Sequence, residues 1–180
     1  MVKRVIIIGA SGSGKSTLAR VLAASLSLPV IHIDPFFFTA GWVQRPREET
    51  AALIREAIQA DEWVFEGNFS STLDERAERA DLIIGLELGR VRRSSRTLWR
   101  TFRYLGRTRP DMAEGCPERF DWDFHFDWVW NYETHSQPKF DAFLEKWEGE
   151  RPILRLTSAR QMRQFGRDPY PVLMRMGLVG

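Results

Sequence analysis

The segment Gly9-Ala10-Ser11-Gly12-Ser13-Gly14-Lys15-Ser16-Thr17 constrains this chain more than any other. It fits the pattern G-x-x-x-x-G-K-[ST]. An apolar, β-branched run (Val2–Ile8) precedes it. A stretch with helical spacing at Leu18, Val21, Leu22 and Leu26 (Lys15–Leu28) follows it. A strand, a glycine-rich turn and a helix in that order make an anion cradle. The glycines let the backbone curl so that successive N–H groups converge, and the helix start adds its partial positive charge. Gly9, Ser11, Gly12, Ser13, Gly14, Lys15, Ser16 and Thr17 are therefore the candidate ligands of a nucleoside triphosphate tail, expected to be ATP with Mg²⁺. Lys15 is expected at the β- and γ-phosphates, and the Ser16 hydroxyl on the metal.

The remaining pattern alternates strand and helix. Strands are predicted at Val30–Ile33, Trp63–Phe65, Leu82–Leu88 and Ile153–Thr157. Helices are predicted from Pro46 to about Ala60, then at Leu73–Ala80, Val91–Leu105, Phe120–Tyr132, Lys139–Trp147 and Ala159–Phe165. The tail after Gly166 is assigned no structure. Such alternation predicts one three-layer α/β/α domain over residues 1–180, with a five-stranded parallel sheet and ligands at the carboxyl ends of its strands. At 180 residues and 43% hydrophobic content the chain has material for one large core. Its 26 basic and 24 acidic residues nearly cancel, so net charge gives no argument for nucleic acid or membrane. One cysteine, Cys116, excludes an internal disulfide and reads as an incidental loop residue. No apolar run reaches membrane-spanning length, and the expected location is the cytoplasm.

Phosphoryl transfer needs acids near the cradle, and therefore at strand ends. Asp81 opens its strand and fails that test. Asp34 closes the second strand and is the candidate acceptor of the attacking hydroxyl's proton. Glu66 closes the third and is the candidate for a water-mediated metal contact. Glu87 passes the same test as a weaker candidate, since it lies inside the apolar pattern of the fourth strand and its other reading is the partner of a neighbouring arginine; His32 reads as a sheet residue. Phe36, Phe37, Phe38 and Trp42 either wall an acceptor pocket or pack in the core.

Between positions 90 and 109 there are eight arginines and no acid, with Arg92, Arg96, Arg100, Arg103 and Arg107 along one side of a helix. Such a row calls for anionic compensation, by phosphate or by the acid-rich stretch Asp111–Asp127. Arg103, Arg107 and Arg109 are the candidate phosphate clamps. The apolar stripe of the same helix is Val91, Leu98, Trp99, Phe102 and Leu105. The aromatic run from Phe120 to Tyr132 reads as core packing beneath a lid of about residues 104–135, which would close to exclude water.

Several motifs together resemble a family of small P-loop kinases related to adenylate kinase, many of whose members carry the label DNA topology modulation protein. The resemblance rests on Gly9–Thr17, His32-Ile33-Asp34, Gly41-Trp42-Val43 with Pro46-Arg47-Glu48, Glu66-Gly67-Asn68-Phe69-Ser70-Ser71-Thr72-Leu73, Arg79-Ala80-Asp81 and the segment from Thr108 to Glu118. It implies an adenylate-kinase-like fold with strand order 2-3-1-4-5. It also implies that the loop Ser158-Ala159-Arg160 borders the adenine. Nucleoside monophosphate kinases carry an arginine in the loop after the third strand, where this chain has Gly67-Asn68-Phe69-Ser70. The expectation is a phosphotransferase moving the γ-phosphate of ATP to a small acceptor, with nucleosides and nucleotides among the candidates. The alternatives are a nucleic-acid-associated ATP-binding regulator and an NTPase with no second substrate.

Overall fold

In strand β1 (Arg4–Gly9) the side chains of Val5, Ile6, Ile7 and Ile8 are all buried. Burial on both faces is what a central parallel strand imposes. In the computed structural model, which describes residues 2–179, β1 lies in the middle of a five-stranded sheet. The chain continues through α1 (Lys15–Leu26), β2 (Val30–His32), α2 (Asp34–Phe37), β3 (Phe38–Thr39), β4 (Val43–Gln44), α3 (Arg47–Ala57), β5 (Trp63–Glu66), α4 (Leu73–Arg79), β6 (Leu82–Leu86) and α5 (Arg90–Tyr104). A loop leads to a π-helical segment, Phe124–Trp130. Then come α6 (Tyr132–His135), α7 (Gln137–Trp147), β7 (Ile153–Leu156), α8 (Ala159–Arg167) and α9 (Tyr170–Arg175).

The sheet order is β2-β5-β1-β6-β7, parallel throughout. Setting aside the short β3–β4 hairpin, which the sequence reading did not separate, this is the expected 2-3-1-4-5. The period of two along β1 assigns the two cores. Val5 and Ile7 pack with Leu18, Leu22, Met162 and Phe165 on one face. Ile6 and Ile8 pack with Ile54, Phe65, Phe140 and Leu144 on the other. Three layers result, and every strand presents its carboxyl end to the same edge. At the opposite edge Asp81 accepts from the backbone N–H groups of Lys3 and Arg4, both at 2.8 Å, a structural role far from the cradle.

Three expectations are corrected. Residues beyond Gly166 include helix α9, whose Leu173 is fully buried; the two prolines there start a helix instead of preventing one. Helix α5 is turned over relative to its apolar stripe. Arg93, Thr97 and Thr101 are buried, while Val91, Trp99, Phe102 and Leu105 are largely exposed. Inside, Arg93 donates through Nη1 to the Leu88 carbonyl and through Nη2 to the Val129 carbonyl and Glu133, which offsets most of the cost of its burial, while its Nε has no partner among the described residues. The aromatic run is not core either, since Trp122, Phe126 and Trp128 are exposed and only His125 and Val129 of the π-helical segment are buried.

The turn after β5 carries one strict requirement. Gly67 has φ +122°, and a Cβ there would collide with the Ile33 side chain. Gly67→Ala is expected to lower stability by about 2–3 kcal/mol, from backbone strain and overpacking together. Urea denaturation, read at constant m-value, checks it.

Candidate functional site

The cradle forms where β1 meets α1. Gly12 and Gly14 have φ of +77° and +101°, conformations that L side chains rarely adopt, and Gly14 caps α1. Helix α5 lies directly on this turn. A Cβ on Gly12 would collide with Thr97, and one on Gly14 would come within 2.8 Å of the Arg96 guanidinium. Arg96 itself donates to the Ser13 carbonyl at 3.4 Å. The Lys15 ammonium donates to the carbonyls of Gly9 and Ala10, at 2.9 and 3.1 Å. Burial holds that ammonium below its usual range, against the opposing pull of Glu66 and Asp34.

Glu66 closes β5 and is buried. Its Oε1 accepts from Ser16 Oγ at 2.9 Å and lies 2.7 Å from His32 Nδ1, which donates in the tautomer protonated there. His32 thus belongs to the site, not merely to the sheet. The register that pairs His32 with Glu66 across β2 and β5 brings it there, which only the strand order reveals. Mg²⁺ favours oxygen ligands and commonly takes one or two from protein, the rest coming from phosphate and water. Ser16 Oγ beside the Glu66 carboxylate fits that demand. Among the described residues no cluster of three or more acidic, His or Cys side chains forms a closed metal cage, and this chemistry needs none.

Asp34 stands in the first turn of α2, immediately after β2. Its side chain keeps 44% of its surface, with the Arg109 guanidinium 4.0 Å away. Burial there and the nearby Glu66 push its carboxyl above the ordinary range, partly offset by Arg109 and Lys15. Arg109 is buried and held on three sides. Its Nε donates to Glu118 at 2.7 Å and its Nη1 to Asp111 at 3.2 Å, and its Nη2 lies 4.0 Å from Asp34. For Asp111, burial alone would raise the carboxyl, but Arg109 and a hydrogen bond with Ser16 hold it low. The acids fix the arginine in advance, so little rotamer freedom remains to be lost when an anion binds.

Of the arginines singled out as clamps, the structure brings only Arg109 into this cluster. Arg103 is exposed and lies over the Trp99 ring at 5.3 Å, and Arg107 is exposed on the loop. The arginine that enters instead is Arg100, one turn from Arg96. Its Nε is 3.6 Å from Glu118, and burial together with Arg109 destabilises its charge. Spacing on α5 could have marked Arg100 once the buried face was known to be Arg93-Thr97-Thr101, because Arg96 and Arg100 flank that face. We expect Arg100→Ala to reduce kcat/KM by about 10²-fold or more, as removal of a transition-state clamp does, and Arg103→Ala to leave it near the wild-type value. Steady-state kinetics with MgATP check both.

Asn68, in the turn after β5, clips the cradle. Its Oδ1 accepts from the Gly9 N–H at 3.0 Å and its Nδ2 donates to the Gly9 carbonyl at 2.8 Å. The fully buried Arg76 fixes that turn from beneath by donating to the carbonyls of Gly67 and Phe69, at 2.9 and 3.1 Å, beneath the Phe65 ring. The β3–β4 hairpin meets the loop after α5. Trp42 Nε1 donates to the Pro117 carbonyl and the Gly41 N–H to the Gly115 carbonyl, both at 2.8 Å. Cys116, far from incidental, is buried there with its thiol on the Thr39 carbonyl at 3.1 Å. Phe37, Phe38 and Trp42 form a run of edge-on contacts that extends to Phe69. Glu87 pairs with Arg155 at 3.3 Å, a contact outside the site.

The loop implied to border the adenine is partly committed elsewhere. Ser158 caps α8 through a reciprocal bond pair with Gln161, Ala159 is buried, and Arg160 is exposed. Ser158 and Thr157 nevertheless line an open crevice of about 580 Å³ with Leu88, Gly89 and Arg90, at the carboxyl ends of β6 and β7.

Comparisons with known proteins agree with the fold. Residues 5–65, from β1 through β5, match the model of the ATPase family associated with various cellular activities (AAA). A shikimate kinase of Rhodococcus erythropolis is 24% identical over 187 residues, covering 96% of this chain and 94% of that protein. Among solved structures, the shikimate kinase of Acinetobacter baumannii in complex with shikimate superposes with a TM-score of 0.67. It is 14% identical, with 99% and 97% of the two chains covered. The shikimate kinase of Bacteroides thetaiotaomicron gives 0.59 at 17% identity, with 97% and 99% covered. The chain has an α/β P-loop fold like that of these shikimate kinases. The resemblance to topology modulation proteins rests on the sequence motifs alone.

Proposed function

We propose that this chain is an ATP-dependent kinase that phosphorylates a hydroxyl of a small hydroxylated acid of the shikimate class. One observation carries the reading. The triphosphate cradle, with Lys15 and the Ser16–Glu66 pair, and the carboxylate of Asp34 face the same mouth, and Arg109 of the lid loop reaches to within 4.0 Å of Asp34. A nucleoside monophosphate acceptor has less support, because Gly67-Asn68-Phe69-Ser70 uses its one long polar side chain to clip Gly9.

In the proposed reaction Asp34 takes the proton of the acceptor hydroxyl as that oxygen forms a bond to the γ-phosphorus. The bond from the γ-phosphorus to the bridging oxygen breaks, and ADP leaves with the electron pair. Lys15, Arg100 and Arg109 balance charge on the transferring oxygens. Ser16 and Glu66 would hold Mg²⁺, which would supply further charge neutralisation to the bound phosphates. Residues of about 104–135 act as the lid, with the contacts of Trp42 and Gly41 to the loop at 115–117 as its latch. Closure excludes water and suppresses wasteful hydrolysis.

The test is to incubate the protein with MgATP and shikimate, beside a panel of nucleosides, nucleotides and sugars. The expected result is ADP formation that depends on shikimate or a close hydroxy acid, with the phosphorylated product identified by mass spectrometry. ADP release without transfer to any acceptor would show an NTPase instead.

A further inference from the structure

Helix α5 is built inside out, and the reaction accounts for only half of it. Arg96 and Thr97 face the cradle, Arg100 faces Glu118, and Arg93 is taken up by Leu88, Val129 and Glu133. On the side turned away from the P-loop, Val91, Trp99, Phe102 and Leu105 are 71%, 63%, 74% and 57% exposed. The adjoining π-helical segment and the residues before it add Trp122, Phe126 and Trp128, at 66%, 60% and 63%. Five of these side chains are large aromatics, each with about 150–250 Å² of its own surface. At those exposures they alone present roughly 600 Å² of apolar area, the upper end for the largest patch on a typical monomer. Val91, Leu105 and the partly covered Trp130 bring the face near the ~800 Å² that one partner contributes to a stable protein interface.

Nothing in phosphoryl transfer needs this surface, and leaving it in water is costly. Its composition is that of an interface core: tryptophan, phenylalanine and arginine, with no lysine between residues 90 and 130. Its charges are of both signs and are segregated. Arg92 and Arg103 are exposed along one edge of α5, while Asp123 and Asp127 are exposed on the π-helical side. An anionic polymer or bilayer would be attracted by the first edge and repelled by the second. A two-fold axis instead sets the arginine edge of each molecule against the aspartates of the other, with the aromatics between, as an isologous interface requires. We infer that this face pairs with a second copy of the same chain, through the outer side of α5 and the Phe124–Trp130 segment.

Sedimentation velocity of the wild-type chain is expected to show a concentration-dependent dimer. The double variant Trp99→Ser/Phe102→Ser is expected to be monomeric with an unchanged far-UV spectrum, since both residues lie in water in the single chain. Met174→Ser, an equally exposed apolar position on α9, should dimerise as the wild type does. Arg92→Glu/Arg103→Glu and Asp123→Lys/Asp127→Lys should each weaken self-association by about tenfold or more, and an equimolar mixture of the two should recover it as a heterodimer. A wild-type chain that stays monomeric throughout, a dimer that survives the serine pair, or a charge-swapped mixture that fails to associate would each overturn the proposal. So would a monomer that binds anionic vesicles or a single-stranded oligonucleotide through these residues.

Discussion

Lys15→Met is expected to lower kcat/KM for MgATP by about 10³-fold, which corresponds to about 4 kcal/mol of lost transition-state stabilisation, without lowering Tm. The two halves of this expectation have one cause. The ammonium sits where burial outweighs the attraction of Glu66 and Asp34, so its pKa in the folded chain lies below that in the unfolded chain. The unfolded chain therefore holds this proton more tightly, and a charged Lys15 works against folding at every pH below the folded value. That stability is regained only as pH rises from the folded value toward the unfolded one. Methionine keeps the stem and removes the charge, so it leaves the fold no weaker at neutral pH while the phosphates lose their cation. Calorimetry and initial rates on the same preparation check both parts. A variant that kept wild-type turnover would remove the basis for every functional statement made from the cradle.

Asp34→Asn is the second large effect. Asparagine is close in shape but accepts no proton, and loss of a positioned general base costs about 10²–10⁴-fold in kcat. Burial and Glu66 raise the Asp34 carboxyl in the folded chain, so the acid limb of kcat/KM should lie above the ordinary aspartate range and vanish in the variant. The stability sign is the reverse of that for a paired surface acid. With its folded pKa raised, ionised Asp34 disfavours the native state, and stability falls as pH rises from the unfolded value through the folded one. The variant should therefore melt higher than wild type at neutral pH. The gain should disappear in acid, where Asp34 is protonated in both states. Thermal melts across that pH range, with rates at each pH, separate a catalytic carboxylate from a merely structural one, which would lower Tm on removal.

Much of this site was legible before any coordinates. The cradle is local: Gly9 to Thr17, with the flanking strand and helix, specify their own geometry through φ freedom and the end of α1. The strand-end rule selected Asp34 and Glu66 and rejected Asp81, because parallel strands deliver their carboxyl ends to one edge whatever their neighbours; it also admitted Glu87, which the structure pairs with Arg155 outside the site. What could not be read was every assignment that depends on which side of a helix meets the protein. Apolar spacing on α5 pointed to Val91, Trp99 and Phe102 as the buried side. The fold buries Arg93, Thr97 and Thr101 instead: the carbonyls of Leu88 and Val129 and the acid Glu133 accept from Arg93, Glu118 accepts from Thr101, and Thr97 bonds back to the Arg93 carbonyl. Buried polar compensation is a property of several distant segments at once, and no window of sequence contains it. The same inversion exchanged Arg103 for Arg100 at the site and brought the aromatic run to the surface. His32 joined Glu66 through sheet register, and Asn68 reached Gly9 across 59 positions. The sequence alone determined where the glycine-rich cradle forms and at which edge of the sheet, since those follow from backbone chemistry within one turn. Tertiary structure alone decided which arginines enter the cluster around Asp34 and Glu118 and which face is left to water, since those follow from long-range pairing of buried charge.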